Sequence, residues 1–297
     1  MELTKIKGNT YYINAPTNIG VYSYKNKNCL LIDTGRNNSA ARKIEEVLKE
    51  NGLHVKYIIN THSHMDHCGG NNYFKNEYTG CITYASSKEK IYMENIELHP
   101  SILYSSFPVK QLQEEGSNIE VDIVPEYGVN KINDEKIEVI PLKGHSPEHI
   151  GIITPEKVCF LGDSIFSSDI LEKYSLPFLY NVQDQFKTLE AIKEIEADYF
   201  VISHAKDIVN KEEIIDLADR NIENIQNYLN DIYELLEKPL TKEELLENIV
   251  IINDISLNYR QYHLDYSSVS ALLKYLIEKG KVESSIENGK LYYYAVQ

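Results

Sequence analysis

Short apolar runs that end in turn residues dominate the first third of the chain, and they predict alternating strands and helices. The runs at 10–16, 19–25 and 28–35 predict three strands. Apolar positions in residues 37–52 recur with the helical period, which predicts an amphipathic helix with Ser39 as its N-cap. This rhythm is typical of an α/β fold.

Later apolar runs each lead into a polar loop. The run at 55–64 predicts a buried strand that ends in a cluster of histidines. Strands predicted within 131–146, 150–166 and 199–207 also end in polar residues. Because functional side chains collect at strand ends in α/β folds, we expect a site along one edge of a sheet.

The chain changes character at Pro239. Thr241 and Glu244 form a capping-box pattern at the start of a helix, and Asn288-Gly289 predicts a two-residue hairpin turn. Helices followed by a hairpin resemble a small winged-helix domain. The predicted organisation is a main domain over residues 1–210, a helical linker over 211–240 and a winged-helix-like domain over 241–297.

Composition limits the cellular compartments and the classes of partner that the chain can be expected to have. The formal net charge is −15, and residues 241–297 carry six Lys/Arg against eight Asp/Glu. This balance argues against a nucleic-acid partner, since such binding relies on basic residues. No apolar stretch reaches the roughly 20 residues that cross a bilayer, and the four cysteines form no C-x-x-C pair. We therefore expect a cytoplasmic protein with a small-molecule substrate and no membrane contact. Oligomeric state is open, and the C-terminal helices are the candidate interface of a homodimer.

The stretch THSHMDHCGG at residues 61–70 concentrates metal-ligand chemistry. It places His62, His64, Asp66 and His67 within six positions, on a loop where the side chains can converge. Imidazole and carboxylate groups are the usual ligands of Zn, Fe and Mn. A histidine-rich polar loop without a metal is the alternative. Three further residues follow predicted strands and could complete the site: His145, Asp163 and His204.

These residues resemble the signature of the metallo-β-lactamase superfamily of hydrolases. The resemblance covers about residues 1–210 and runs through these positions in the family's order: LLIDTG at 30–35, His62-x-His64-x-Asp66-His67, Gly144-His145, Gly162-Asp163 and His204. It implies an αββα sandwich of the α/β (α+β) class, with a site for two divalent metal ions between the sheets.

The resemblance also implies roles for individual residues. Its first metal ion would be held by His62, His64 and His145, its second by Asp66, His67 and His204, with Asp163 as the bridge. Zinc is the expected metal, with iron or manganese as alternatives. Two such ions would lower the pKa of a bridging water and supply hydroxide at neutral pH. Asp66 could also pass a proton to the leaving group. Asp33 could fix the second N–H of a ligating histidine, or could simply be a turn residue after a strand.

Two positions narrow the reaction. Asp163 stands where the commonest zinc β-lactamases carry cysteine, and His64 stands where flavodiiron proteins carry glutamate. The chain therefore resembles either the thioesterase, glyoxalase II-like and lactonase branches or the phosphodiesterase and ribonuclease branches. Because the C-terminal residues are more acidic than basic, we expect a hydrolase that acts on a small ester, thioester or lactone. A phosphodiesterase or endoribonuclease of the same fold is one alternative. A metal-binding regulatory protein without catalytic activity is the other.

Several residues outside the signature are candidates for the pocket, the core or the surface. His149 could line the substrate pocket, whereas His54, His99 and His263 are expected to be surface or core residues. Lys143 and Lys173 could pair the carboxylates of a glutathione thioester, although no basic cluster stands out. Eight aromatic residues could either line a pocket or fill the core: Tyr73, Phe74, Tyr104, Phe107, Tyr127, Tyr174, Phe178 and Tyr180.

Overall fold

Two six-stranded sheets face each other in the protein, whose computed structural model describes residues 1–174 and 176–296, with the backbone alone at residues 173 and 174. The first sheet contains, in spatial order, β1 (Leu3–Lys7), β2 (Thr10–Ile13), β3 (Ile19–Ser23), β4 (Asn28–Ile32), β5 (His54–Ile59) and β6 (Ile82–Tyr84). The second sheet contains, in the same sense, β7 (Gly128–Ile132), β8 (Glu135–Pro141), β9 (Ile150–Ile153), β10 (Val158–Gly162), β11 (Tyr199–Ile202) and β12 (Val209–Asn210). Neighbouring strands are antiparallel except for the parallel pairs β4–β5, β5–β6 and β10–β11.

Helices connect the strands and cover the outer faces of the sheets. Those of the first half are α1 (Asn38–Glu50), α2 (Met65–Cys68), α3 (Asn71–Glu77), α4 (Ser87–Met93) and α5 (Leu98–Tyr104). Those of the second half are α6 (Ser168–Tyr174), α7 (Val182–Glu194), α8 (Lys211–Leu235), α9 (Lys242–Ile252) and α10 (Tyr259–Glu278). The hairpin of β13 (Val282–Glu287) and β14 (Lys290–Ala295) follows, and its turn lies at the predicted Asn288-Gly289.

Alternate side chains of the central strands separate the apolar core into layers. In β4, Leu30 and Ile32 belong to the cluster between the two sheets, while Cys29 and Leu31 pack with α1 on the outer side. Strand β10 divides its side chains in the same way between the second sheet's two faces. Because successive strand residues point to opposite faces, one apolar run serves two cores. The layers form an αββα sandwich, which confirms the predicted fold class.

The C-terminal helices share a core with the second sheet. Leu246 of α9, Leu272 of α10 and Val282 of β13 lie in one buried cluster with Phe200 of β11. The predicted capping box opens α9, where the hydroxyl of Thr241 accepts the backbone N–H of Glu244 at 3.3 Å. The domain boundaries at 210 and 240 and the winged-helix assignment stay predictions.

The start of α1 differs from the prediction. Asn37, rather than Ser39, is the N-cap, and its side chain accepts the backbone N–H of Ala40 at 3.0 Å. Asn37 has an extended backbone, so its carboxamide can reach back to the first turn, whereas Ser39 already lies inside the helix. Within the described residues, no helix combines the length and apolar character needed to span a bilayer.

Candidate metal centre

Side chains from the loops that follow β5, β8, β10 and β11 converge at one edge of the sandwich. All seven residues predicted from the sequence meet there, in two adjoining groups. The first group is His62, His64, His145 and Asp163, and the second is Asp66, His67, Asp163 and His204. Within each group, potential ligand atoms lie within 4.8 Å of one another, and Asp163 belongs to both.

Two glycines allow the loops to turn directly into the centre. Gly144 has a φ of +138°, and a Cβ there would lie 2.5 Å from the Cα of Gln185. Gly162 has a φ of +58°, and its Cβ would lie 2.5 Å from Nε2 of His149. Both the backbone angle and the available space therefore require glycine immediately before each of these centre residues.

Backbone carbonyls orient two of the histidine rings. The Nδ1–H of His145 donates to the carbonyl of Phe178 at 3.1 Å, and the Nδ1–H of His204 donates to the carbonyl of Pro16 at 2.7 Å. Each ring therefore points its Nε2 toward the centre, which is the usual arrangement of a ligating histidine.

Asp33 orients a third ring. Its Oδ2 accepts the Nδ1–H of His67 at 2.7 Å and the hydroxyl of Thr61 at 2.8 Å, while its Oδ1 accepts the backbone N–H of Thr61 at 2.9 Å. Asp33 is only 1% exposed. These contacts are those expected of a carboxylate that supports a ligating histidine.

Several buried polar atoms of the centre have no hydrogen-bond partner in the described part of the chain. They include Nε2 of His62, Nε2 of His67 and Oδ1 of Asp163. Buried polar atoms are nearly always paired, so a group of unpaired ones calls for an explanation. Imidazole nitrogens and carboxylate oxygens in this arrangement suit Zn, Fe or Mn, and the donor set therefore fits divalent metal ions.

Residues 13–204, a span that holds the whole centre, match the family model described as the metallo-beta-lactamase superfamily. The chain belongs to the metallo-β-lactamase superfamily. This confirms the resemblance found in the sequence and makes the protein a metallo-hydrolase of that fold.

Curated relatives of this metallo-hydrolase include proteins named hydroxyacylglutathione hydrolase. The hydroxyacylglutathione hydrolase of Prochlorococcus marinus (strain MIT 9312) is 25% identical over 239 residues, which cover 79% of this chain and 81% of the relative. The hydroxyacylglutathione hydrolase GloC of Haemophilus influenzae is 30% identical over 151 residues, covering 48% of this chain and 64% of the relative.

Solved structures support the fold over nearly the whole chain. A metallo-beta-lactamase family protein from Thermus thermophilus superposes with a TM-score of 0.76 at 20% identity, covering 97% of this chain and 99% of that one. A beta-lactamase domain protein from Burkholderia ambifaria gives the same TM-score at 15% identity, covering 99% of this chain and 93% of that one. Both superpositions therefore include the C-terminal helices of this chain.

Charges in the centre shift the pKa values of its members in opposite directions. Burial lowers the pKa of His62 and His64 well below the usual range. The carboxylate of Asp163 raises the pKa of His204 to about 10. Burial opposes ionisation of Asp163, yet His204 and His67 hold its pKa well below the usual range. A proton on His204 thus balances part of the carboxylate charge that a divalent ion would neutralise.

Two cavities flank the centre. The larger has a volume of about 1000 Å³, and apolar side chains that include Phe166, Ile170 and Leu264 form much of its wall. The smaller, of about 260 Å³, lies against His64 and His99. Residues that line both cavities are Arg36, Asp66, His145, Phe178 and Leu264.

The sequence left open whether the aromatic residues line a pocket or fill the core, and the structure contains examples of both. Phe178 lines both cavities, whereas Phe74 is fully buried in the core of the first sheet. The side chains of Tyr174 and Lys173 lie outside the described residues. Lys143 lies 4.0 Å from the carboxylate of Glu148, so part of its charge is already balanced.

His99, which was expected to be a surface or core residue, is partly buried beside the centre and lines the smaller cavity. Its Nε2 lies 3.1 Å from Nε2 of His64, whose Nδ1 faces Nε2 of His145 at 3.0 Å. Burial lowers the pKa of His99 to about 4, so its ring is neutral and can accept the N–H of His64. No spacing or motif in the sequence connects α5 to the histidine loop.

His149 lies beneath the centre rather than on a cavity wall. The side chain is fully buried, and its Nε2 accepts the backbone N–H of Asp163 at 3.1 Å. Its ring stacks on that of His62 with a centroid distance of 4.8 Å. His149 therefore supports two residues of the centre from below.

Proposed function

We propose that the protein hydrolyses a small ester, thioester or lactone at a centre of two divalent metal ions, with zinc first among the candidates. The observation that carries this proposal is the convergence of imidazole and carboxylate side chains in two groups that share Asp163. Within the described part of the chain, Nε2 of His62, Nε2 of His67 and Oδ1 of Asp163 are buried there without a hydrogen-bond partner. Such a pair of ions would activate a bound water at neutral pH and would polarise the carbonyl oxygen of the substrate.

The two groups divide the ligand roles. The residues proposed to hold the first ion are His62, His64 and His145, those for the second are Asp66, His67 and His204, and Asp163 is proposed to serve both. Supports on the far sides of the rings, such as Asp33 and the carbonyls of Pro16 and Phe178, would hold the ligands in place while substrate binds.

Asp66 is proposed to move a proton as well as to bind metal. Its side chain is 37% exposed, against 9% for Asp163, and it lines both cavities. Burial opposes its ionisation, but His67 and His204 hold the pKa of Asp66 well below the usual range. As an ionised carboxylate at the junction of the centre and the cavities, Asp66 would first take the proton released by the attacking water and then pass it to a leaving group that departs into either cavity.

A thioester is the favoured member of the substrate class. The relatives named hydroxyacylglutathione hydrolase cover most of this chain and point to acyl transfer from sulfur to water. The larger cavity, with its mainly apolar wall, has room for the acyl group and the leaving group of such a substrate.

Metal content and a substrate panel test the proposal together. We expect about two metal ions per purified chain, and hydrolysis of a hydroxyacyl thioester, an aryl ester or a lactone that stops on chelation and returns with Zn²⁺. The Asp66→Ala variant should lose about 10²–10⁴-fold in kcat, the range that a positioned proton-transfer group contributes.

Asp169→Asn is the matched control, because Asp169 lines the same cavity but pairs with Lys206 at 2.6 Å. Its turnover should stay near that of the original chain. Hydrolysis that survives complete metal removal would refute the metal mechanism. Cleavage of a phosphodiester in place of all three carbonyl substrates would instead favour the nuclease alternative.

We further propose a cytoplasmic location and a homodimer formed through the C-terminal helices. All four cysteines are buried free thiols, as a reducing compartment allows. Ile251 and Ile252 of α9 are 71% and 59% exposed, and an interface there would cover them. Sedimentation of the original chain and of Ile251→Glu would test the dimer.

A further inference from the structure

A buried carboxylate, Glu89 of α4, lies between the two loops that carry the first group of histidines. It is 0% exposed, and its four hydrogen-bond donors are all uncharged. A buried carboxylate is costly to desolvate unless its hydrogen bonds are satisfied, so four donors at one side chain mark a specific structural task.

Each oxygen of Glu89 holds a different loop. Its Oε2 accepts the backbone N–H of Ser63 at 3.0 Å and the Ser63 hydroxyl at 2.6 Å. Its Oε1 accepts the hydroxyl of Ser146 at 2.7 Å and the backbone N–H of Glu148 at 2.8 Å. One side chain therefore fastens the loop after β5 to the loop after β8.

The anchored serines are neighbours of the candidate ligands. Ser63 lies between His62 and His64, and Ser146 follows His145. We propose that Glu89 is a positioning residue that sets the spacing between the two histidine loops and thereby assembles the first metal group. The second group takes no histidine from the loop after β8, so it should depend much less on Glu89.

The N-terminal turn of α4 is itself hydrogen-bonded to the loop after β8. Glu148 accepts the hydroxyl of Ser87 at 2.7 Å and the backbone N–H of Lys88 at 2.8 Å, and its carbonyl accepts the hydroxyl of Ser86 at 2.6 Å. Because α4 cannot shift relative to this loop without breaking these bonds, Glu89 is a rigid link rather than a flexible contact.

Glu89→Gln tests the link with little change in volume. The glutamine amide retains one oxygen but turns an NH₂ group toward two donors, so it can hold only one of the two loops. Zn²⁺ titration against a chromophoric chelator should show two affinities in the original chain. In Glu89→Gln one of them should fall about 10–100-fold, the usual effect of losing a support behind a ligand.

The His145→Ala variant tests whether the lost Zn²⁺ affinity belongs to the first group. In this variant Glu89 has no candidate ligand left to position on the loop after β8, so adding Glu89→Gln should cause no further loss of Zn²⁺ affinity. Ser146→Ala should weaken the same ion to a smaller extent, and it remains informative if Glu89→Gln does not fold.

Glu45→Gln is the control for general destabilisation. Glu45 is 4% exposed and accepts the hydroxyl of Tyr73 at 3.0 Å on the outer side of the first sheet, so its loss should leave both Zn²⁺ affinities unchanged. Equal losses of Zn²⁺ affinity in Glu45→Gln and Glu89→Gln would overturn the inference. So would a Glu89→Gln variant that keeps both Zn²⁺ affinities of the original chain. The inference rests on the proposed ligands, and an original chain that binds no Zn²⁺ would instead refute those.

Discussion

Replacing Asp33 with asparagine should weaken the binding of the proposed second metal ion without disturbing the backbone. Asp33 follows β4 with a φ of +63°, a left-handed conformation that asparagine adopts more readily than most residues. Asparagine also keeps the size of the side chain. The substitution therefore removes the negative charge and one acceptor atom, and little else.

The expected loss follows from the hydrogen bond to His67. A neutral His67 can bind metal through Nε2 only if Nδ1 carries the proton, and Asp33 accepts that proton's hydrogen bond at 2.7 Å. In Asp33→Asn an amide NH₂ can face Nδ1 and favour the tautomer whose Nε2 is blocked by hydrogen. A charge-assisted hydrogen bond contributes about 1.5–3 kcal/mol. At 1.4 kcal/mol for each factor of ten, the affinity should fall about 10–100-fold.

Chelator competition with Zn²⁺ measures this loss directly, and elemental analysis after dialysis shows whether the chain keeps one ion or two. Asp122→Asn is a suitable control, because Asp122 also accepts a backbone N–H, that of Thr83 at 2.8 Å, but lies outside the centre. Activity of Asp33→Asn should return in part with excess Zn²⁺. A variant that keeps both ions at the original affinity would refute the reasoning about the tautomer.

Two further predictions concern buried side chains. His99→Phe keeps a ring behind His64 but removes its acceptor, so the affinity for one Zn²⁺ should fall about tenfold or more in the same competition assay; an unchanged affinity would leave His99 with a packing role alone. Asp265 is 1% exposed, and burial raises its pKa to about 6. Its ionisation therefore weakens the fold increasingly as the pH rises from its unfolded-state pKa near 4 to about 6, and this cost is absent below about pH 4. Asp265→Asn should raise the free energy of unfolding by up to about 3 kcal/mol at pH 8, at 1.4 kcal/mol per pH unit, with no gain at pH 4 in urea titrations. An equal gain at both pH values would show that charge is not the cause.

The residues that meet at the centre could be predicted because each follows an apolar strand. His145, Asp163 and His204 come directly after β8, β10 and β11 or within a few residues of them, and a sheet brings such strand ends to one edge. The glycines before His145 and Asp163 were visible as well, although the reason for them, close contact with Gln185 and His149, is visible only in the structure.

The supports of the centre could not be predicted, since they come from segments without a periodic pattern. Glu89 and His99 lie in the stretch between the two histidine loops, where short helices follow the path set by tertiary packing. The carbonyls of Pro16 and Phe178 carry no side-chain signal at all, because any residue offers the same acceptor. The misplaced N-cap at Ser39 has a similar cause, since Asn37 was an equally good cap and backbone geometry decided between them.

The candidate ligands and helix α10 lie in different parts of the chain, and both contribute to the wall of the larger cavity. Every candidate ligand lies before residue 205, whereas Gln261 and Leu264 of α10 line the larger cavity. Both terminal guanidinium nitrogens of Arg260, at the start of α10, donate to Oε1 of Glu114 at 2.9 Å. This contact connects the C-terminal helices to the loop beside the smaller cavity. Because α10 touches the cavities but supplies none of the candidate ligands, its sequence can change the shape of the substrate site while leaving the metal centre intact. If the larger cavity binds the substrate as proposed, we expect substitutions in α10 to alter substrate choice.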